Sequence, residues 1–295
     1  MAILLFGATG MLGRAISSEA KRRGRDLVGA ARSGTDRVVD LAVEDAGVAL
    51  IAALRPELVV NAAAIVDLDA CERDPCGAYA VNARAVALMA AACRALRVPL
   101  VQISTDHFFT GGGDRRHTET DPMTLVNEYA RTKFAAESFA SLAPRTLVVR
   151  TNVTGLRGEP GRLTVAEWAL DALVRRAPLR LFDDYHSSTI DTIGFARALF
   201  DLIDTGTTGV VNLAARTVAS KARFVRTLAG ALGIALDWDE RASVRELATP
   251  RAESVGLDVA KAERILGYAL PDTETVCRNL VLQWKEQRCA MQPAS

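Results

Sequence analysis

The sequence predicts an α/β fold, a doubly wound parallel sheet with a smaller C-terminal lobe. Three observations predict it. Short continuous apolar runs recur through the first half of the chain, longer stretches of helical spacing separate them, and a glycine-spaced turn follows the first run. Apolar strands that are continuous rather than alternating belong to a parallel sheet buried on both faces. Right-handed crossovers then wind helices onto its two sides.

The elements follow in order. Residues 2–6 form a strand-like run with no basic leader before it, so they are placed as a buried strand and not as a signal peptide. Residues 11–23 have helical spacing and stop at Gly24, a C-cap residue. Residues 27–31 are the second run, and 43–54 are helical, ending before Pro56. Residues 58–61, 100–104 and 146–150 are the next three runs, separated by an Ala-rich helix over 78–96 and a helix over 128–141. Further on, 164–176, 192–203, 218–232, 260–266 and 273–288 read as helices and 209–213 as a strand. The expected division is a main domain over 1–155 and a lobe over 156–295, some segments of which return to the main sheet. Gly111, Gly112 and Gly113 are expected to form a mobile loop, and 292–295 a frayed tail.

Composition narrows the function. With 36 Lys+Arg against 35 Asp+Glu the net charge is +1, which excludes a nucleic-acid binder driven by a basic surface. No apolar run reaches the ~18 residues of a membrane helix. The five cysteines lie at irregular spacings without a CxxC pair, so reduced thiols and a cytoplasmic location are expected. The three histidines are scattered, and no metal site is expected.

In a doubly wound sheet, ligands bind beyond the carboxyl ends of the strands. The first such end reads Gly7-Ala8-Thr9-Gly10-Met11-Leu12-Gly13, a GxxGxxG turn opening a helix. Glycines admit a pyrophosphate close to the backbone, and the helix N-terminus offers N–H donors and partial positive charge. Between a strand and a helix this is the dinucleotide-binding turn of a Rossmann-type domain, with Gly7, Thr9, Gly10, Met11, Leu12 and Gly13 at the cofactor. The second strand ends Ala30-Ala31-Arg32-Ser33, and no carboxylate follows until Asp36. A site selective for NAD places a carboxylate there for the ribose 2′-hydroxyl. Arg32 and Ser33 suit a 2′-phosphate instead, so NADPH is expected, with NADH as the alternative. Arg14 reads as an exposed helix charge before it reads as a phosphate ligand.

Tyr129-Ala130-Arg131-Thr132-Lys133 is a YxxxK sequence, which puts the tyrosine and lysine on one helical face. Thr105 stands at the end of the fourth run. A lysine cation ~4 Å from the phenol is worth ~4 kcal/mol at an effective dielectric of ~20, enough to bring Tyr129 towards neutral pH as a proton donor. Thr105 then hydrogen-bonds the same carbonyl oxygen.

GATGMLG, ISTD, YARTK and Val148-Val149-Arg150-Thr151 together resemble an extended short-chain dehydrogenase/reductase, and in particular the dTDP-4-dehydrorhamnose reductase family. Asn61-Ala62-Ala63-Ala64 with Asp69 and Glu72, Val81-Asn82, Ser104-Thr105-Asp106-His107-Phe108-Phe109 and Glu119-Thr120-Asp121-Pro122 resemble that branch at similar spacings. The resemblance implies NAD(P)H-dependent reduction of the 4-keto group of a nucleotide-linked sugar. Thr105, Tyr129 and Lys133 would be catalytic, with Lys133 also holding the nicotinamide ribose. Asp40 and Leu41 would contact the adenine, Ala62, Ala63 and Ala64 would line the cofactor groove, and Asn82 would support the site, a helix N-cap being its equal alternative. Asp106, His107, Asn152 and Val153 would face the sugar, in a pocket built by 150–190 and the C-terminal third. Asp69 and Glu72 are either a divalent-cation site at a dimer contact or a solvated acidic face, and a homodimer is left open.

The sugar side departs from the family pattern. His107 stands for a tyrosine, Thr110-Gly111 for Asp-Gly, Asn152 for a tryptophan, and His186-Ser187-Ser188-Thr189 lacks the proline of the corresponding stretch. A related nucleotide sugar is therefore as well supported as dTDP-rhamnose. Two alternatives stand beside reduction: an epimerase or dehydratase of the same superfamily, and a non-catalytic subunit resembling the methionine adenosyltransferase beta subunit. The dehydratase is weakened because His107, not Glu, follows Asp106, and the intact Thr105, Tyr129 and Lys133 set speaks for an enzyme.

Overall fold

The structure is a computed structural model and describes residues 2–158 and 163–291, so the tail expected to fray lies outside the described residues. Seven parallel strands form the main sheet: β1 (Ile3–Phe6), β2 (Leu27–Ala31), β3 (Arg37–Val38), β4 (Leu58–Asn61), β5 (Leu100–Ile103), β6 (Leu147–Arg150) and β7 (Gly209–Asn212). Their order is β7-β6-β5-β4-β1-β2-β3, which reverses between β1 and β4. That reversal opens a crevice at the carboxyl edge, bounded by the segments that follow β1 and β4.

Side chains along each strand alternate between two cores. Ile3 and Leu5 of β1 face a layer with α1 (Met11–Arg22), α6 (Thr192–Asp204) and α8 (Ala260–Leu266). Leu4 and Phe6 face α2 (Ala46–Leu54), α3 (Ala85–Leu96) and α4 (Glu128–Ala140). Both faces are closed, which is why the runs are continuously apolar. A third core joins α5 (Val165–Arg175), α7 (Lys221–Leu232) and α9 (Thr273–Met291) through Leu170, Leu173, Phe224, Leu228 and Leu280. Short strand pairs fill the space beside it: Val153–Thr154 with Ile190–Asp191, Leu179–Phe182 with Asp239–Ala242, and His186–Ser187 between Ala219–Ser220 and Ser254–Val255.

Local chemistry sets the ends. Gly24 has φ +66 just past α1, and Arg25 N bonds Ala20 O there. At α5, Thr164 and Glu167 form a capping box. The sequence-predicted helix over 78–96 differs most. A helix runs from Pro75 to Leu96, and its turn at Ala80–Arg84 is a π-turn. By length and composition it is apolar enough to cross a membrane, against the expectation that no run is, but Val86, Met89, Ala90 and Cys93 bury its apolar side against the sheet. The glycine loop is tied down rather than free: Gly111 N donates to Glu253 and Ser254 donates to Gly113 O.

Candidate active site

The crevice between β1 and β4 is lined by the glycine turn. Gly7 has φ +83, and a Cβ there would lie 2.7 Å from Ala63 N. A Cβ on Gly13 would lie 2.1 Å from Gly7 O, so the turn and α1 close tightly only with glycine at both places. Gly10 is the N-cap of α1 and no side chain caps it, which leaves the first-turn amides beside Met11, Leu12 and Gly13 for an anion. This cradle fits a dinucleotide pyrophosphate. Opposite, Asn61 donates to Gln102 and accepts from Ala63 N, shaping the chain that leaves β4 through the half-buried Ala62, Ala63 and Ala64.

Beyond β2, Arg32 and Ser33 are exposed, and Arg32 has no protein partner among the described residues. Asp36 is turned away from the strand end to accept from Gly29 N at 3.1 Å. Arg14 is engaged with Thr9 O and Arg157 O. Asp40 accepts from Ala42 N, while Leu41 packs its side chain into the core with Ile51 and Met89, so only its backbone can serve an adenine. A cleft of about 1020 Å³ runs along the outer side of the turn past Thr9, Arg14, Ser17, Gly29 and Thr35; its lining includes none of the catalytic set.

Asn82 is neither an N-cap nor free. It lies in the π-turn, 1% exposed. It accepts from Ile65 N at 2.7 Å and donates to Ile65 O at 2.9 Å and to Thr132 Oγ1 at 3.1 Å. It therefore joins the groove wall after β4 to the turn of α4 that carries Tyr129 and Lys133.

At the end of β5 the structure brings Thr105, Tyr129 and Lys133 together, all buried. Asn127 caps α4 by accepting from Ala130 N, and Glu72 accepts from Glu128 N. Tyr129 rests on Cys71 and Ala78. Its phenol lies beside the Thr105 side chain. The expected lowering of the Tyr129 pKa is not found. Burial raises it above its ordinary value, against the neighbouring Thr105 hydroxyl and reinforced by Asp106. Lys133 donates to Ile103 O at 2.7 Å, so its ammonium is committed to the strand, and burial pulls its pKa down to about 8. One turn on, Glu137 accepts from Ser104 at 2.5 Å and pairs with buried Arg150, locking β5, β6 and α4.

Asp106, His107, Asn152 and Val153 form the outer wall with residues that sequence reasoning missed. Asn152 donates to Asp106 Oδ2 at 2.7 Å and accepts from Thr189, which meets Ser187. Val153 pairs with Ile190. His107 lies edge-on to Tyr129, 5.6 Å between centroids, and its Nε2 is 3.2 Å from Tyr185 Oη. Burial, then Lys221 and Arg251, holds its pKa down at about 4, so the ring is neutral. Lys221 lies over the Tyr185 ring. Tyr185, Lys221 and Arg251 carry no motif, and only the need for cations near a diphosphate pointed towards such residues. Asp69 and Glu72 are both exposed, and each also clamps neighbouring chain: Asp69 accepts from Thr249 and Glu72 from Glu128 N.

A glycine-cradled switch-point crevice beside a Thr–Tyr–Lys set defines an extended short-chain dehydrogenase/reductase. Residues 1–283 match the RmlD substrate binding domain family, and the chain belongs to it. It is 28% identical to the probable low-salt glycan biosynthesis reductase of Haloferax volcanii over 91% of this chain and 93% of that protein. It is 32% identical to the dTDP-4-dehydrorhamnose reductase of Mycobacterium tuberculosis over 71% of this chain and 68% of that one. The fold superposes with a TM-score of 0.84 on the dTDP-4-dehydrorhamnose reductase of Bacillus anthracis solved with NADP, at 21% identity, covering 96% of this chain and 100% of that one.

Proposed function

We infer that the protein is an NAD(P)H-dependent oxidoreductase that reduces the 4-keto group of a nucleotide-linked deoxy sugar, in glycan or cell-surface polysaccharide synthesis. The observation that carries this is the juxtaposition of the buried Thr105 and Tyr129 side chains at the strand edge beside the glycine cradle. Two hydroxyls held together can meet one carbonyl oxygen, and the relatives named above are reductases of this kind.

The residues divide the work. Gly7, Thr9, Gly10, Met11, Leu12 and Gly13 receive the cofactor pyrophosphate on backbone amides. Arg32 and Ser33 meet a 2′-phosphate, Asp40 and the Leu41 backbone border the adenine, and Ala62, Ala63, Ala64 and Asn82 make the opposite wall. The cofactor, when bound, supplies the hydride. Thr105 polarises the keto oxygen and Tyr129, whose phenol is protonated at neutral pH, donates the proton to it. Lys133 holds the strand end and offers its charge to the site. Asp106, His107, Asn152 and Val153 bound the sugar, with the lobe over 156–295 covering the nucleotide. The cytoplasm is the compartment in which the five free thiols and the nucleotide substrate fit. The test is NADPH oxidation against a panel of 4-keto nucleotide sugars. Turnover of at least one to the 4-hydroxy product is expected; none across the panel would overturn the assignment.

A further inference from the structure

Three segments meet at the start of α4, the helix that carries Tyr129. One is the N-cap itself. Asn127 is 1% exposed, and its Oδ1 accepts from Ala130 N at 2.8 Å. The second is the short helix Leu68–Arg73, whose Glu72 accepts from Glu128 N. The third is a strap over 249–253 that has neither helix nor strand. Asn127 Nδ2 donates to Pro250 O at 3.0 Å, and Thr249 donates to Asp69. The helix amide needs an acceptor and the Pro250 carbonyl needs a donor. The Asn127 side chain supplies one from each end. Beyond Pro250 the strap backs the sugar wall. Ala252 is buried against Tyr185 and Val255, and Glu253 O accepts from His186 N at 2.7 Å. Ser254 and Val255 then pair with His186 and Ser187. Tyr185 Oη is 3.2 Å from His107 Nε2, and the His107 ring lies edge-on to Tyr129. The Tyr129 ring also rests on Cys71 of the short helix.

We propose that Asn127 is a positioning residue: by fastening the strap to the N-cap of α4, it sets the sugar wall of Tyr185 and His107 against Tyr129. The proposal rests on the ketoreductase assignment. Tyr129 stands two residues past Asn127, so the cap fixes the start of the turn that holds the phenol. The strap fixes Tyr185 through Ala252 and His186. One amide side chain therefore refers both to the same point. The bond from Thr249 to Asp69 is the second fastening, and it keeps the strap from pivoting about Pro250. The far end is tied separately, Glu253 to Gly111 N and Ser254 to Gly113 O. Release at Asn127 thus frees the near end of the strap and leaves the fold intact. A wall displaced by ~1 Å holds the sugar away from its reacting geometry. The glycine cradle is shaped by β1, α1 and the chain after β4, so cofactor binding is not drawn in.

Asn127→Asp separates the two bonds. A carboxylate caps a helix as well as an amide does, but it has no proton to give the Pro250 carbonyl. The experiment reads Tm, NADPH affinity, and kcat and KM for the best 4-keto nucleotide sugar. Tm is expected within about 2 °C of wild type, because the cap survives. NADPH affinity should stay within about twofold, while KM for the sugar rises at least ~3-fold, the worth of one hydrogen bond, and kcat changes less than KM. A residue that only caps the helix would be replaced by Asp without effect, so a smaller rise in KM overturns the proposal. Thr249→Val loosens the other fastening and should raise KM in the same direction. The double variant should raise it by less than the product of the two single effects, since both hold one strap. A full product overturns the shared role. If the wild type reduces no keto sugar, the ketoreductase assignment fails by itself. Amide hydrogen exchange over 251–254 then decides the fastening without turnover. Exchange at least ~10-fold faster in Asn127→Asp supports it, and any smaller change overturns it.

Discussion

Asn82→Ala cuts a side chain that ties the wall after β4 to the turn of α4 carrying Tyr129. The wild-type amide makes three hydrogen bonds, two with the Ile65 backbone and one with Thr132 Oγ1. Each contributes ~1 kcal/mol net, and half-buried groups left unpaired add to the loss, so the variant should be ~2–4 kcal/mol less stable. At ~2–4 °C per kcal/mol for a chain approaching this size, Tm should drop by roughly 5–12 °C. The chain after β4 also loses its anchor, and NADPH affinity should weaken roughly tenfold, the equivalent of ~1.4 kcal/mol. Thr132 donates to Tyr129 O, so kcat should fall with affinity rather than independently of it. Differential scanning fluorimetry and cofactor titration by fluorescence give both numbers. A Tm within 2 °C of wild type, with unchanged NADPH affinity, would refute the idea that Asn82 couples these two walls.

Two further outcomes are expected. Arg32→Asp should lose or reverse a wild-type preference for NADPH over NADH, since one charge-assisted bond is worth ~1.5–3 kcal/mol; an unchanged kcat/KM ratio removes Arg32 from the 2′-phosphate. Glu19, 5% exposed, has its carboxyl held down at about 2, chiefly by the Arg22 hydrogen bond, then against burial by Arg23. Its folded pKa lies below the ordinary carboxylate value, so its stabilisation is present above pH 4.5 and is lost as pH falls towards 2. Glu19→Gln should cost ~1–3 kcal/mol in urea melts at pH 7 and progressively less below pH 4, and an equal cost at pH 7 and pH 2.5 would contradict the sign.

Strands bounded by charge, glycine or proline were legible to the residue: β2 and β4 end where Arg32 and the 62–64 alanines begin. The edge strand β3 was not, because Arg37 and Val38 are both exposed and carry no alternation. The π-turn in the Pro75–Leu96 helix was hidden because the Asn82 within it bonds Ile65, a contact seventeen residues back. The glycine turn and the Thr105, Tyr129 and Lys133 set could be read from local spacing. Tyr185, Lys221 and Arg251 could not, since only the tertiary fold brings them to His107. The direction of the Tyr129 pKa was misjudged for a related reason. Helical spacing places Lys133 on the same face, but it does not reveal that the ammonium is spent on Ile103 O or that burial outweighs it.

In the proposed reaction Tyr129, supported by Thr105, protonates a keto oxygen of a nucleotide sugar. The most direct measurement is single-turnover NADPH oxidation by wild type and Tyr129→Phe with the best 4-keto nucleotide sugar, alongside cofactor affinity for both. The ring of Phe keeps the contacts with Cys71 and Ala78, so folding and NADPH binding should persist. The expected result is a rate loss of ~10²–10⁴-fold with cofactor affinity within about twofold of wild type. A variant that retains more than about a tenth of the wild-type rate would show that the proton comes from elsewhere.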